Sequence, residues 1–510
     1  MAAGQTNSAS DVLIALAPGP GALRHRLEEA ILEGIASRRL TPGTALPPSR
    51  ALADALGISR WVVTEAYGHL VGKGILEART GSATRVAAPV PDGAAGTRAD
   101  VAPGRPGRPG TAAPTRRRPG GDRTTAGARP PSGTGLERAP QRATHDLAPG
   151  VPDLRHVPRE AWLRAARDAL AEATNQDLGG QPAAGHPAAR AAVATHLGRA
   201  RIVSGPDAAV VLTRGAADGM SRIAAALADA GHTHLLVEDP SWAPLRDVAA
   251  AAGLTPVPVP VDDAGISTDG LRASAGRTGA RAVLLTPAHQ FPLGAVLSDE
   301  RRAAVVAWAQ EVDGLVIEDD YDAEFRYDRR PVPALQGLDP DRVLLLGSTS
   351  KTLSPAFGIG WMVVPERWRA AVLEVSVRRG PTPGPATLDQ LTLARFVGGG
   401  AYARHLRAAR TRYARRRAAL LAALDRELPG APVGGIAAGM HVTVDLAGID
   451  AADVVREGAA RDVALVDLRR YQAAPSARST MLVVGYGNLA DARLDEAVRS
   501  LRAAVEAAAH

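Results

Sequence analysis

From residue 146 to the end, short runs of consecutive apolar residues alternate with longer segments whose apolar positions recur every three to four residues. The runs are AAVVLT (208–213), THLLVEDP (233–240), RAVLLTP (281–287), GLVIEDD (314–320) and RVLLLGS (342–348), and each closes on polar residues. GAADGMSRIAAALADAG follows the first and WAPLRDVAAAAG the second, both with helical spacing. Strands apolar on both faces, separated by helices, predict a mainly parallel sheet covered on both sides. In such sheets ligands sit beyond the carboxyl ends of the strands. The polar residues that close these runs are therefore the candidate chemistry.

Residues 17–88 follow another pattern, with three helical segments and a short β-hairpin. The first helix spans about Gly21 to Ser37, and the second opens near Ser49, after Pro47 and Pro48. In LGIS, Gly57 permits a tight turn and Ser59 caps the third helix. That helix is expected to put Val62, Ala66 and Leu70 on one face, with Arg60 and Thr64 on another. ILEARTGSATRVA reads as two strands around Gly81, a basic wing. The whole constellation resembles the winged helix–turn–helix of the GntR family. The resemblance implies DNA binding, with Arg50, Ser59, Arg60, Thr64, Gly81 and Arg85 as the contact candidates.

Between these patterns, residues 89–145 are Pro, Gly, Arg and Thr with almost no large apolar side chain. Such a segment cannot bury enough surface to offset its ordering entropy, so it reads as a disordered basic linker. Residues 146–510 form the remaining domain. The chain of 510 residues is 45% hydrophobic, so more than one core is expected. It contains no cysteine, which excludes disulfides, thiolate metal sites and a cysteine nucleophile, and no metal is expected. With no signal-peptide pattern at the start and no membrane-length apolar run, a cytoplasmic location is expected. The net charge of +7 fits an anionic partner where that charge is concentrated.

Of 60 basic residues only two are lysines, Lys73 and Lys351. Lys351 stands in GSTSKTLSP, just beyond the strand RVLLLGS. An amine there forms a Schiff base with an aldehyde, which a guanidinium cannot do. Asp319 and Tyr321, two apart at the end of GLVIEDD, are expected to point the same way. A carboxylate there can hold a ring nitrogen protonated and a phenol can bond a ring oxygen, the roles that the resemblance named below implies for this pair. Asp320 and Asp322 read as an acidic surface loop. Gly215, Ala216 and Ala217 open a helix whose amides suit a phosphate. Trp242 follows a strand, and Ser348 and Ser350 add hydroxyls; the resemblance named below implies that the indole stacks on a cofactor ring and the hydroxyls meet its phosphate.

These features resemble the pyridoxal 5'-phosphate site of fold-type-I aminotransferases. The phrases HQFPLG (289–294), IEDDYDAEFRYDRRPVPALQGLDP and VVGYGNL are more similar still to MocR/GabR-type regulators, which join a GntR winged helix to an aminotransferase-like domain. The resemblance implies an α+β DNA-binding domain followed by an α/β fold-type-I domain. It also implies a homodimer reading paired DNA half-sites and sensing a small amine, an amino acid or the vitamer. At most a residual transaminase half-reaction is expected; the alternative is a working aminotransferase with a DNA-binding appendage. Three departures stand out. Gly358 replaces an arginine usual seven residues after the lysine, LGGQPAAG lacks a usual tyrosine, and Pro244 replaces an arginine found in some members. Arg214 is a candidate substitute at the phosphate, and Arg470 and Arg478 are candidates for a substrate carboxylate.

Overall fold

The computed structural model describes residues 23–36, 40–56, 58–72, 75–77, 84–86 and 143–510, apart from breaks at 181, 204, 206–208, 328–331, 379–383, 475 and 477. The segment read as a linker lies outside the described residues except for its last three positions, 143–145. The chain divides into two compact units, Met1–Thr125 and Ala126–His510.

In the first unit, α1 (Leu23–Ala36), α2 (Ser49–Leu56) and α3 (Arg60–Gly72) precede an antiparallel hairpin of β1 (Leu76–Glu77) and β2 (Arg85–Val86). Leu27 and Ile31 of α1 meet Leu52 and Ala53 of α2 and Val63, Ala66, Tyr67 and Leu70 of α3. Leu76 and Val86 close this core. The buried face of α3 thus runs through Val63 and Tyr67 rather than Val62, which is half-buried. The Tyr67 hydroxyl donates to the Pro47 carbonyl at 3.0 Å, so α3 is also pinned to the residues that lead into α2.

The first strand of the second unit is β3 (His145–Asp146), which pairs in parallel with residues Val463–Ala464. The strands that follow are β4 (Val210–Thr213), β5 (His234–Asp239), β6 (Thr255–Asp262), β7 (Gly265–Ile266), β8 (Ala282–Leu285), β9 (Leu315–Asp319), β10 (Val343–Ser348) and β11 (Gly360–Val363). They form one eight-stranded sheet in the order β4-β11-β10-β9-β8-β5-β6-β7. From β10 through β6 the neighbours are parallel, while β11 runs antiparallel to both β4 and β10. β8, β9 and β10 are buried along their whole length, which is why they read as unbroken apolar runs.

A smaller antiparallel sheet of β12 (Val433–Gly434), β13 (His441–Asp445) and, after β14 (Val463–Ala464), β15 (Met481–Gly485) builds a second core. It packs with the long helix Ala401–Glu427 and the helix Leu494–Ala508. One buried arginine joins this core to the segment before the large sheet. Arg416, 1% exposed, donates to Asp153 Oδ2 at 2.7 Å, to Asp491 Oδ1 at 2.6 Å and to the carbonyls of Tyr486 and Gly487. Asp153 also accepts from Arg155 at 2.8 Å, and its own amide donates to the Tyr413 hydroxyl. This network fixes the 150–153 segment, which runs on to the site.

Candidate functional site

The carboxyl ends of β4, β5, β9 and β10, the β8–β9 connection, the 150 segment and the start of β13 surround a cavity of about 240 Å³. Lys351, Asp319, Tyr321, Trp242, Gly215, Ala216, Ala217, Ser348 and Ser350 all line it. So do Gly150, Arg214, Phe291, Asp322 and His441. The topology accounts for this convergence, because parallel strands deliver their closing residues to one edge of the sheet.

Lys351 lies just past β10, with Nζ donating to the Gly150 carbonyl and standing 5.7 Å from the centre of the Trp242 ring. Burial lowers its affinity for a proton, and Asp322 and Asp319 act in the opposite sense. A buried amine with a depressed pKa is a better nucleophile than an exposed lysine. Asp319, at the end of β9, is 6% exposed, and its Oδ1 has no hydrogen-bond partner among the described residues. Burial first, then Asp320, raises its pKa to about 7 against the pull of Lys351. An orphaned buried acceptor of this kind calls for a donor from a ligand.

Gly215, at φ +124°, caps the helix Ala216–Asp229, and with Ala216 and Ala217 it lines the cavity. The Arg214 amide donates to Asp218 at 2.9 Å and its Nε donates to the Gly384 carbonyl at 3.2 Å, which holds the guanidinium stem beside that helix start. Trp242 packs edge-on to Phe291 at 5.5 Å and stacks at 6.1 Å on Tyr471. Beneath, buried Glu238 accepts from the Thr286 hydroxyl at 2.6 Å and amide at 3.0 Å. Burial lifts the Glu238 pKa to about 7. Gln290 ties the Pro240 carbonyl to the same loop at 2.8 Å. The loops after β5 and β8 are thus locked together behind the aromatic wall.

Several sequence expectations need correction. Asp320 and Asp322 are not a surface loop. Asp320 pairs with buried Arg201 at 2.8 Å, and Asp322, 2% exposed, bonds His289 Nδ1 at 2.9 Å. Arg470 and Arg478 do not line the cavity: Arg478 is 74% exposed and lies 3.7 Å from Asp450, and Arg470 is exposed. The turn Leu468–Tyr471 presents Leu468 and Tyr471 to the core, pairs Arg469 with Asp450 and Asp467, and leaves Arg470 exposed. His289, His441, Phe291 and Glu238 carry no assignment from the sequence, although HQFPLG contains two of them.

Gly358 sits at φ +58° and ends the short turn Pro355–Phe357, with nothing within 4 Å of the place a Cβ would take. Space is available, but the backbone is left-handed, which costs a branched or long residue about 1–2 kcal/mol. Gly358→Arg is therefore expected to lower the thermal stability of the second unit by about that amount. Cofactor titration beside thermal unfolding checks it, and an unchanged melting temperature with tighter binding would contradict it.

In the first unit, the Ser59 carbonyl and hydroxyl both accept from the Val62 amide, the hydroxyl at 3.4 Å, and Thr64 is exposed on α3. Arg85 donates to the Gly43 carbonyl at 2.9 Å, which braces the hairpin against the α1–α2 connection. Arg50 and Arg60 lie on α2 and at the start of α3, and their side chains are outside what is described. Gly57, Lys73 and Gly81 also lie outside the described residues.

The fold and cavity define a fold-type-I, aminotransferase-like domain. Residues 145–501 match the family model for aminotransferase class I and II, and residues 23–86 match that for bacterial regulatory proteins of the gntR family. Among solved structures, the kynurenine aminotransferase of Pyrococcus horikoshii, in complex with PMP, superposes with a TM-score of 0.64 at 23% identity, over 71% of this chain and 90% of that one. LysN, the alpha-aminoadipate aminotransferase of Thermus thermophilus, gives 0.64 at 24%, over 71% and 92%.

The regulator relatives are more similar in sequence. The probable rhizopine catabolism regulatory protein MocR of Rhizobium meliloti is 33% identical over 80% of this chain and 78% of its own. The pyridoxine biosynthesis transcriptional regulator PdxR of Corynebacterium glutamicum is 31% identical over 85% and 86%. The regulator TauR of Rhodobacter capsulatus is 32% identical over 76% of each. The chain belongs to the MocR-type transcriptional regulators, a GntR-family helix–turn–helix domain followed by an aminotransferase-like domain. Its helix–turn–helix domain implies DNA binding. Among the described residues, no helix is long and apolar enough to cross a membrane.

Proposed function

We propose that this regulator binds pyridoxal 5'-phosphate in the second unit and senses a small amine, an amino acid or the vitamer there, acting in the cytoplasm as a homodimer on paired operator half-sites. The observation that carries the reading is the meeting of Lys351, the orphaned Asp319 carboxylate, Tyr321, Trp242 and the amide-rich start of the helix Ala216–Asp229 around one cavity. These residues fit the cofactor. Asp319 would receive the pyridine N–H, Tyr321 the ring oxygen, Trp242 the ring face, and Gly215 to Ala217 with Ser348, Ser350 and Arg214 the phosphate. When bound, pyridoxal phosphate supplies an aldehyde that amines capture and a ring that withdraws electrons. Lys351 would hold the aldehyde until a competing amine takes its place.

The names of PdxR and MocR, pyridoxine biosynthesis and rhizopine catabolism regulators, agree with a vitamer or a small nitrogenous effector. An efficient transaminase also needs a cation for the substrate carboxylate, and neither Arg470 nor Arg478 lines the cavity. That supports sensing over turnover.

The test is to follow operator affinity and cofactor absorbance together while pyridoxal phosphate, then candidate amines, are titrated. Coupled changes are expected, with the DNA shift bounded by about 1–3 kcal/mol. Sustained transamination with operator binding indifferent to every ligand would overturn the reading. In the same assay Arg60→Ala should lower discrimination between operator and random DNA by about 10-fold or more, as loss of a base contact does. Thinning the TRRRPGG arginines (115–121) should weaken all DNA binding evenly and flatten its salt dependence.

A further inference from the structure

Behind Tyr321 the cavity wall holds a buried pair that the proposed cofactor contacts leave unused. His289 is 2% exposed, and its Nδ1 lies 2.9 Å from Asp322 Oδ2 and 3.0 Å from the Tyr321 hydroxyl. A carboxylate oxygen only accepts, so Nδ1 donates to Asp322, and the Tyr321 hydroxyl lies within hydrogen-bond reach of both groups. Nε2 of the same ring, buried, has no partner among the described residues. The imidazole and the carboxylate together thus fix the position of the phenol oxygen. The backbone at Gly439, φ +68°, closes over the pair. A Cβ there would overlap the His289 ring and come within 2.7 Å of Asp322 Oδ2.

We infer that His289 and Asp322 are a positioning pair for Tyr321, holding its hydroxyl where it meets the ring oxygen of the bound cofactor. The inference rests on the cofactor reading above. The other titratable groups that bear on the pair and on Tyr321 include Asp319, Asp320, Glu238, Lys351, Tyr327, Tyr486 and His441, whose ring lies 5.1 Å from that of His289. Burial and the nearby carboxylates, Asp322 foremost, hold the Tyr321 phenol well above its ordinary pKa, so it stays a donor at working pH. A metal ion at His289, Asp322 and His441 is the weaker reading. His441 Nε2 is taken by the Pro292 carbonyl at 3.1 Å, and His289 Nδ1 and Asp322 Oδ2 already bond each other.

The test uses the full-length protein loaded with pyridoxal phosphate and reads the pH dependence of its visible absorbance. A phenol donor favours the form in which the ring oxygen is negative. Tyr321→Phe should therefore raise the midpoint. Asp322→Asn and His289→Gln, which leave the phenol in place, should raise it in the same direction by about half a pH unit or more. Joined to Tyr321→Phe, either should add little, because the pair acts through the phenol. A wild-type midpoint in both Asp322→Asn and His289→Gln, with Tyr321→Phe shifted, would overturn the inference alone. A wild type that develops no cofactor band would overturn the cofactor reading and this inference with it. Because two residues are varied independently, misfolding of one variant leaves the other to decide.

Discussion

Lys351→Ala is expected to abolish the covalent capture of pyridoxal phosphate and to disconnect effector from DNA. Borohydride treatment of the wild type should fix the cofactor on a single peptide, the one carrying Lys351. The chain's only other lysine, Lys73, lies outside the cavity-forming unit, so a mass measurement of the labelled peptide is unambiguous. The amine is suited to this role by its surroundings. Burial lowers its pKa, while Asp319 and Asp322 limit the fall. No arginine or glutamine in its place supplies a lone pair at neutral pH. Operator affinity in the variant should cease to respond to amines that move it in the wild type, because a ligand shifts a conformational equilibrium only by its differential affinity for the two states. Label on Lys73, or an amine response of wild-type size in Lys351→Ala, would be incompatible with the proposed role.

The second large effect is structural. Arg416→Ala removes one partner of Asp153, whose side chain is 1% exposed, and leaves Arg155 at 2.8 Å and His156 at 3.1 Å. Breaking a buried pair costs about 3–5 kcal/mol where the remaining charge is left unpaired, and the partners that stay put the expected loss toward the lower end of that range. Burial pushes the Asp153 carboxyl up, but hydrogen bonds from Arg155 and Arg416 outweigh it and hold the group well below the usual carboxylate range. A depressed folded pKa gives stability that is complete above the unfolded value, about 3.9, and is lost as pH falls through the folded value. Denaturant unfolding of the wild type should therefore weaken below about pH 4, and the variant should lose much of that acid dependence along with its stability at pH 7. A loss under about 1 kcal/mol at neutral pH would show that the pair contributes little beyond its desolvation cost. Since the same segment carries Gly150, the variant should also bind cofactor more weakly.

The fold was legible where burial leaves a pattern. β8, β9 and β10 are covered on both faces, and a strand so placed has no polar side to disguise it. Asp319, Tyr321, Ser348 and Lys351 followed because parallel strands end at a common edge. What stayed hidden depends on contacts between distant segments. Asp320 and Asp322 look like solvent-facing acids beside Tyr321, yet Arg201 and His289, more than thirty residues upstream, take them into the interior. Arg416 sits in ARRRAAL between exposed Arg415 and half-buried Arg417, and no local signal marks it as the fully buried one. For Arg470 and Arg478 proximity in sequence misled: the turn that brings Tyr471 under Trp242 necessarily sends its neighbours away. On α3 the error was one of phase, since Val62 and Val63 are both apolar and only the packing against α1 and α2 selects Val63.

The cavity is built from chain segments near residues 150, 215, 242, 291, 320, 350 and 440, so no single supersecondary unit contains it. It exists only when the large sheet and the smaller one are both formed and docked. Any molecule held there binds the native state and not the unfolded chain, and it protects the entire second unit against unfolding, by about 2.7 kcal/mol at a hundredfold excess over its dissociation constant. Vitamin supply would then govern how long each copy of the regulator survives proteolysis as well as what it does on DNA. A cell short of the vitamer would hold fewer regulators as well as emptier ones.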